Sequence, residues 1–208
     1  SPVSTIVCYL ELAASFGKPI LAEKPVALDY LHLKHLTKYK NIRVAYNRRF
    51  YSGVAFSKKF VADHPKSLIK VSIPERRQDP AHNVNFPSRL PNLSYENSVH
   101  IFDLMNYLFQ DIAWKETSII KTENKYIGVV ALGHSQNGAT IQLDSYYNSS
   151  DNFSITIVSG EERIEMKPIE VTSFFKGMKV HQPTKEIPIR LYMPLLQNKI
   201  IDNDMHCH

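Results

Sequence analysis

Glycine is scarce in this chain, seven in 208 residues, and no three of them fall as Gly-x-Gly-x-x-Gly. A dinucleotide fold needs a glycine-rich first βα turn so that backbone amides can approach a pyrophosphate. The sequence therefore excludes a complete turn of that kind. Cysteine is scarcer still: Cys8 and Cys207 stand far apart, which excludes a disulfide framework and a zinc-type spacing and makes a reducing, cytoplasmic setting the expectation. No apolar run reaches the ~18 residues of a membrane span, and no basic-then-apolar signal pattern is present. No internal repeat or low-complexity segment is visible. What is present is ordinary for a folded domain, with 43% hydrophobic and 22% charged residues. Net charge is +5, but Lys and Arg are scattered rather than striped, so nucleic acid is not an expected partner.

The most informative stretch is Gly17-Lys18-Pro19-Ile20-Leu21-Ala22-Glu23-Lys24-Pro25. Upstream, Ile6, Leu10, Ala13 and Ala14 recur at helical spacing over Thr5 to Phe16, and Gly17 is placed to cap that helix. Pro19 to Ala22 reads as a short buried strand, stopped by an acid, a base and a proline. Ligands of open α/β sheets sit at such strand ends. Asp29 to Tyr39 reads as a second helix, with Asp29 as N-cap and Leu31, Leu33, Leu36 and Tyr39 on its apolar side. Asn41 to Asn47 reads as a second strand. A domain boundary is expected near Asn47, giving domains 1–47 and 48–208.

Arg48-Arg49-Phe50 follows the boundary. Ser52 to Ala62 reads as a helix with Val54, Phe56, Phe60 and Val61 inward, and Ser67 to Ile73 as a strand. Pro74 to Pro91 is polar, proline-punctuated and aperiodic; it reads either as a substrate-side loop using Arg76 or Arg77, or as a solvated connector. Tyr95 to Phe109 is an amphipathic helix. It places Glu96 and His100 four residues apart on one face, with Asp103 three beyond His100. From Ser118 the pattern becomes strand-like: 118–121, 127–134, 140–147, 153–159 and 163–167, with Asn137-Gly138 and Ser159-Gly160 as hairpin turns. Val171 to Pro194 adds one edge strand. The C-terminal Asp202 to His208 holds His, Cys and Asp side chains, but no metal site is expected at a chain end.

"GKPILAEKPVAL", "AYNRRFY" and "ENSVHIFDLMNYLF", in that order, resemble the glucose–fructose oxidoreductase / inositol dehydrogenase / MocA (Gfo/Idh/MocA) family, over most of the chain up to about Lys167. The resemblance implies an α/β plus α+β fold. It would hold the C-terminal remainder of a Rossmann-like parallel sheet, then an open, mainly antiparallel sheet with helices on one face. About two or three βα units of ~30 residues each would be missing from the first domain, so a fragment of a longer protein is expected.

The resemblance also implies an NAD(P)-dependent dehydrogenase acting on a hydroxyl of a sugar, cyclitol or sugar nucleotide. Lys24 and His100 would be catalytic, with His100 taking the hydroxyl proton and Lys24 polarising the oxygen. Glu23, Lys24 and Pro25 would lie at the cofactor, with a cis Lys24–Pro25 bond, and Glu96 and Asn97 at the substrate. Arg49 has two open readings: orienting the substrate, or pairing with an acid across the domain boundary. NAD or NADP binding is expected to be weak or absent without the glycine-rich turn, so the chain's own activity stays open. The alternative is a non-catalytic binding or assembly module. A homo-oligomer through the C-terminal sheet is expected, whose free face would use residues such as Tyr146, Tyr147, Ile155 and Ile157, unless these are core. The whole reading depends on Lys24 and His100 converging on one pocket.

Overall fold

The structure is a computed structural model that describes residues 3–27, 30–74, 98–122, 125–146 and 149–185. Among these residues the chain forms two compact units, one up to Asn47 and one from Arg48.

The first unit starts with helix α1 (Val3–Ala14), whose Leu10 and Ala14 are buried, as the helical spacing predicts. Gly17 ends it with φ +68°, its amide donating to the Ala14 carbonyl at 3.0 Å. Strand β1 (Ile20–Ala22) pairs in parallel with β2 (Ile42–Val44), with Ile20 opposite Ile42 and Ala22 opposite Val44. Helix α2 (Tyr30–Leu36) connects them in sequence. Its buried anchor is Leu36, whereas Leu31 is 75% exposed. At 100° per residue Leu31 lies about 160° from Leu33, on the opposite side of the helix, so it could not share that stripe. The small core of this unit is Leu10, Ala14, Ala22, Val26, Leu36, Ile42 and Val44.

The second unit opens with a 3-10 turn (Asn47–Phe50) and helix α3 (Ser52–Asp63). Val54, Phe60 and Val61 point into the core; Phe56 stays 42% exposed but meets Phe174 edge-to-face at 5.6 Å. Strand β3 (Leu68–Ser72) and helix α4 (Ser98–Phe109) follow. Seven more strands complete the unit: β4 (Ala113–Thr122), β5 (Lys125–His134), β6 (Thr140–Tyr146), β7 (Ser154–Ser159), β8 (Glu162–Met166), β9 (Val171–Lys176) and β10 (Lys179–Lys185). The eight strands form one sheet in the order β10-β9-β8-β7-β3-β6-β5-β4. Two meanders, β4-β5-β6 and β7 to β10, flank β3, which pairs in parallel with β6 and antiparallel with β7. The hairpin turns fall where the sequence places them, with Gly138 and Gly160 at positive φ.

Two strand expectations change. β4 starts five residues earlier than its alternation suggests, because a register shift between Trp114 and Glu116 breaks the period of two. The segment from Val171 holds two strands rather than one, joined through Gly177 at φ +57°.

One face of the sheet carries Ile69, Val71, Ile141, Leu143, Ile155, Ile157, Ile164 and Met166, all in one core with Val54 and Phe60 of α3 and Ile101, Leu104, Met105 and Leu108 of α4. Ile155 and Ile157 are therefore core residues and not part of a free face, whereas Tyr146 is 49% exposed; Tyr147 lies outside the described residues. The opposite face is only half covered, with Leu68 and Leu132 near 40% exposed and Val180 at 53%. Gly53 brings α3 close to β9: a Cβ there would sit 1.9 Å from the Thr172 hydroxyl oxygen. No helix of the described residues is long and apolar enough to cross a membrane.

Candidate functional site

In the first unit, β1 ends at the buried Ala22, whose carbonyl accepts from the Ala45 amide at 2.8 Å. Beyond this last rung the chain leaves the sheet. Glu23 is exposed, Lys24 and Pro25 are half-buried, and Val26 returns to the core. The Lys24–Pro25 peptide bond is cis. Lys24 is therefore placed at the C-terminal end of a parallel strand, where such sheets present their ligand-binding groups. Gly17, the first unit's sole glycine, caps α1, with nothing within 4 Å of a Cβ built on it. It forms no cradle that a pyrophosphate would fill, so the described residues do not fit a whole dinucleotide.

In the second unit, His100 lies in the first turn of α4 and is 7% exposed. Helical spacing puts His100, Asp103 and Tyr107 along one stripe, beside the stripe of Ile101, Leu104 and Leu108 that enters the core. Arg49, from the 3-10 turn, reaches this stripe. Its Nε donates to Asp103 Oδ2 at 2.8 Å, and its Nη2 donates to Oδ1 in a second, shorter bond. The guanidinium also lies over the Tyr107 ring, 5.1 Å from its centroid, and Lys58 of α3 sits 3.7 Å from the same centroid. The Asp103 side chain is 6% exposed and that of Arg49 21%. Burial pushes the Asp103 carboxyl above its ordinary range, and the hydrogen bonds and charge of Arg49 offset this only in part.

Arg49 thus has an acid partner, and that acid belongs to its own unit rather than lying across the boundary. Arg48 beside it reaches Glu170 at 3.5 Å. The i, i+3 relation of His100 and Asp103 is legible in the sequence; that Arg49, fifty-four residues earlier, supplies the counter-charge is not. Glu96 and Asn97, with Arg76 and Arg77, lie outside the described residues, as does the His- and Cys-bearing tail. Among the described residues no cluster of three or more His, Cys, Asp or Glu could hold a metal ion. An open cavity of about 380 Å³ is lined by Phe102, Met105, Asn106, Trp114, Val129 and Leu143, among others, on the other flank of α4 from His100.

No protein-family profile matches the sequence, and no curated protein does. Solved structures do. A dehydrogenase (MviM) from Clostridium difficile superposes with a TM-score of 0.70 at 18% identity, over 97% of this chain and 68% of that one. An oxidoreductase from Thermotoga maritima gives 0.76 at 14% identity, over 99% and 68%. The chain shares the fold of these solved proteins, as the resemblance to the Gfo/Idh/MocA family implies. An inositol dehydrogenase homolog from Azotobacter vinelandii, solved with NAD+, gives 0.66 at 14% identity, over 87% of this chain and 54% of that one. These identities establish likeness of fold, and this chain spans between about half and two thirds of those proteins' lengths.

Proposed function

We propose that this chain is the substrate-side part of a cytoplasmic NAD(P)-dependent oxidoreductase that acts on a secondary hydroxyl of a sugar, cyclitol or sugar nucleotide. The observation that carries the reading is Lys24 at the end of a parallel strand, in a chain whose fold is shared by dehydrogenases. One of these homologs was solved with NADH and myo-inositol. Oxidising an alcohol requires the hydroxyl proton to leave and the developing oxygen charge to be stabilised. His100, whose imidazole titrates near neutral pH in its unperturbed state, accepts the proton. Lys24 polarises the oxygen, Glu96 and Asn97 contact the substrate, and Glu23 and Pro25 shape the backbone beside the cofactor. The hydride acceptor is NAD or NADP. Since the described residues offer its pyrophosphate no cradle, binding by these 208 residues is expected to be weak or absent.

Two titrations test this. Myo-inositol added to the isotope-labelled chain is expected to shift the NMR signals of Lys24 and His100 together, and His100→Ala to abolish the response at Lys24. Polyols that move neither residue at any concentration overturn the reading. NADH fluorescence is expected to stay nearly flat; tight binding would show that the missing glycine-rich turn is dispensable.

A second reading, an assembly module that works as a homo-oligomer, is favoured by the half-covered outer face of the sheet with Leu68, Leu132 and Val180 exposed. Light scattering that reports a monomer, unchanged by Leu132→Asp, counts against it.

A further inference from the structure

The Arg49–Asp103 pair is costly and needs a reason. Removing a carboxylate and a guanidinium from water is repaid only by good geometry, and a leucine at position 103 would fill the space without that cost. We propose that Arg49 and Asp103 are positioning residues acting as one unit: Arg49 holds the Asp103 carboxylate one helical turn from His100, where its charge supports the imidazolium that forms when His100 takes a proton. This rests on His100 being the proton acceptor.

Three observations carry it. The pairing is a fork on a fork, two donors of one guanidinium to two oxygens of one carboxylate, which fixes orientation as well as charge. The guanidinium is further packed on Tyr107, so the turn that opens the second unit is tied to α4 at two points on the His100 stripe. And Asp103 is the sole acid of α4. Among the described residues, Arg49 from the turn and Lys58 from α3 also bring charge to this stripe, the latter on Tyr107, two turns beyond His100; Glu96, four residues before His100, lies outside the described residues. The sheet face beneath the helix presents Ile69, Val71, Ile141, Leu143, Ile155 and Ile157. Burial favours the neutral acid at Asp103, and Arg49 works against it, so the carboxylate near His100 depends on Arg49. A carboxylate beside an imidazole favours its protonated form.

The experiment follows the His100 ring signals by NMR across pH in the full chain, assigned with His100→Gln. Asp103→Asn is expected to lower the His100 midpoint by about 0.5–1 pH unit, below the full effect of an unscreened neighbour because Arg49 partly cancels the charge. Asp103→Glu, which keeps the charge, restores at least half of the shift. If Asp103→Asn does not fold, Arg49→Gln replaces it, with the midpoint expected to fall, because Asp103 without its partner takes up a proton and its charge near His100 is lost. A midpoint unmoved in whichever of these two variants folds, or lowered equally by Asn and Glu, overturns the proposal, because a purely structural pair would change only the melting temperature. No sugar or cofactor enters the measurement. A chain that binds no alcohol would defeat the functional reading and leave this result standing.

Discussion

The two units answer the same folding problem with unequal means. The second has an eight-stranded sheet, two helices of twelve residues on one face, and twenty buried apolar side chains among its described residues. Among its described residues the first has two strands of three residues each and seven buried apolar side chains, two of them alanines. Two-stranded sheets of this size are marginal on their own, and a core that small cannot offset the ordering of some forty residues. Yet the first unit holds Lys24. The part of the chain that carries the most specific motif is the part least able to fix it in place, whereas the part that carries His100 is well braced.

Core truncations test that contrast most strongly. Ile155→Ala, at a fully buried position of the central sheet, is expected to cost about 2–5 kcal/mol in urea unfolding. Leu36→Ala, as buried but in the first unit, is expected to leave the main transition almost in place and to speed amide exchange in β1 and β2 only. Equal losses in the main transition would show that the units fold as one.

Glycines sharpen the comparison at intermediate size. Gly53 needs space, since a Cβ would meet Thr172, so Gly53→Ala is expected to cost about 1–3 kcal/mol. Gly17 needs handedness: it has φ +68° with nothing near a built Cβ, and Gly17→Ala is expected to cost about 1–2 kcal/mol, felt locally around α1. Thermal melts with exchange mapping separate the two.

The smallest effect concerns the ion pairs. In the first unit Glu11 and His35 pair at the surface; in the second Arg49 pairs with the buried Asp103. Because burial raises the folded carboxyl of Asp103 above its unfolded value of 3.8, this group's contribution to stability is complete below that value. It is lost as pH rises through the folded value. The stability of the parent chain relative to Asp103→Asn should therefore fall between about pH 3.5 and neutral pH in paired urea titrations. A difference that grows over that range would mean that Arg49 outweighs burial.

Much of this architecture was legible because local patterns agree with the final packing. The stripes of α1, α3 and α4, the turns at Asn137-Gly138 and Ser159-Gly160, and the alternation in β6 and β7 are each set by neighbours within a few residues. Where local and global signals separate, the reading slips. Leu31 belongs to an apolar-looking helix but faces outward. Trp114 and Glu116 straddle a bulge that breaks the period. Ile155 and Ile157 could have served a free face or a core, and alternation alone does not say which face is covered. The site was partly readable as well: Glu23-Lys24-Pro25 and His100 stand out by type and context, whereas the partner of Arg49 had two open readings.

By itself the sequence determined the element types, the missing glycine-rich turn and the family whose motifs it resembles, since residue type and short-range spacing are properties of the chain alone. Tertiary structure decided that β3 lies between two meanders, that Arg49 is held by Asp103, and which isoleucines are core. Those outcomes depend on strand order and on charges brought together from positions fifty-four residues apart, and no local pattern encodes which distant partner reaches a buried carboxylate first.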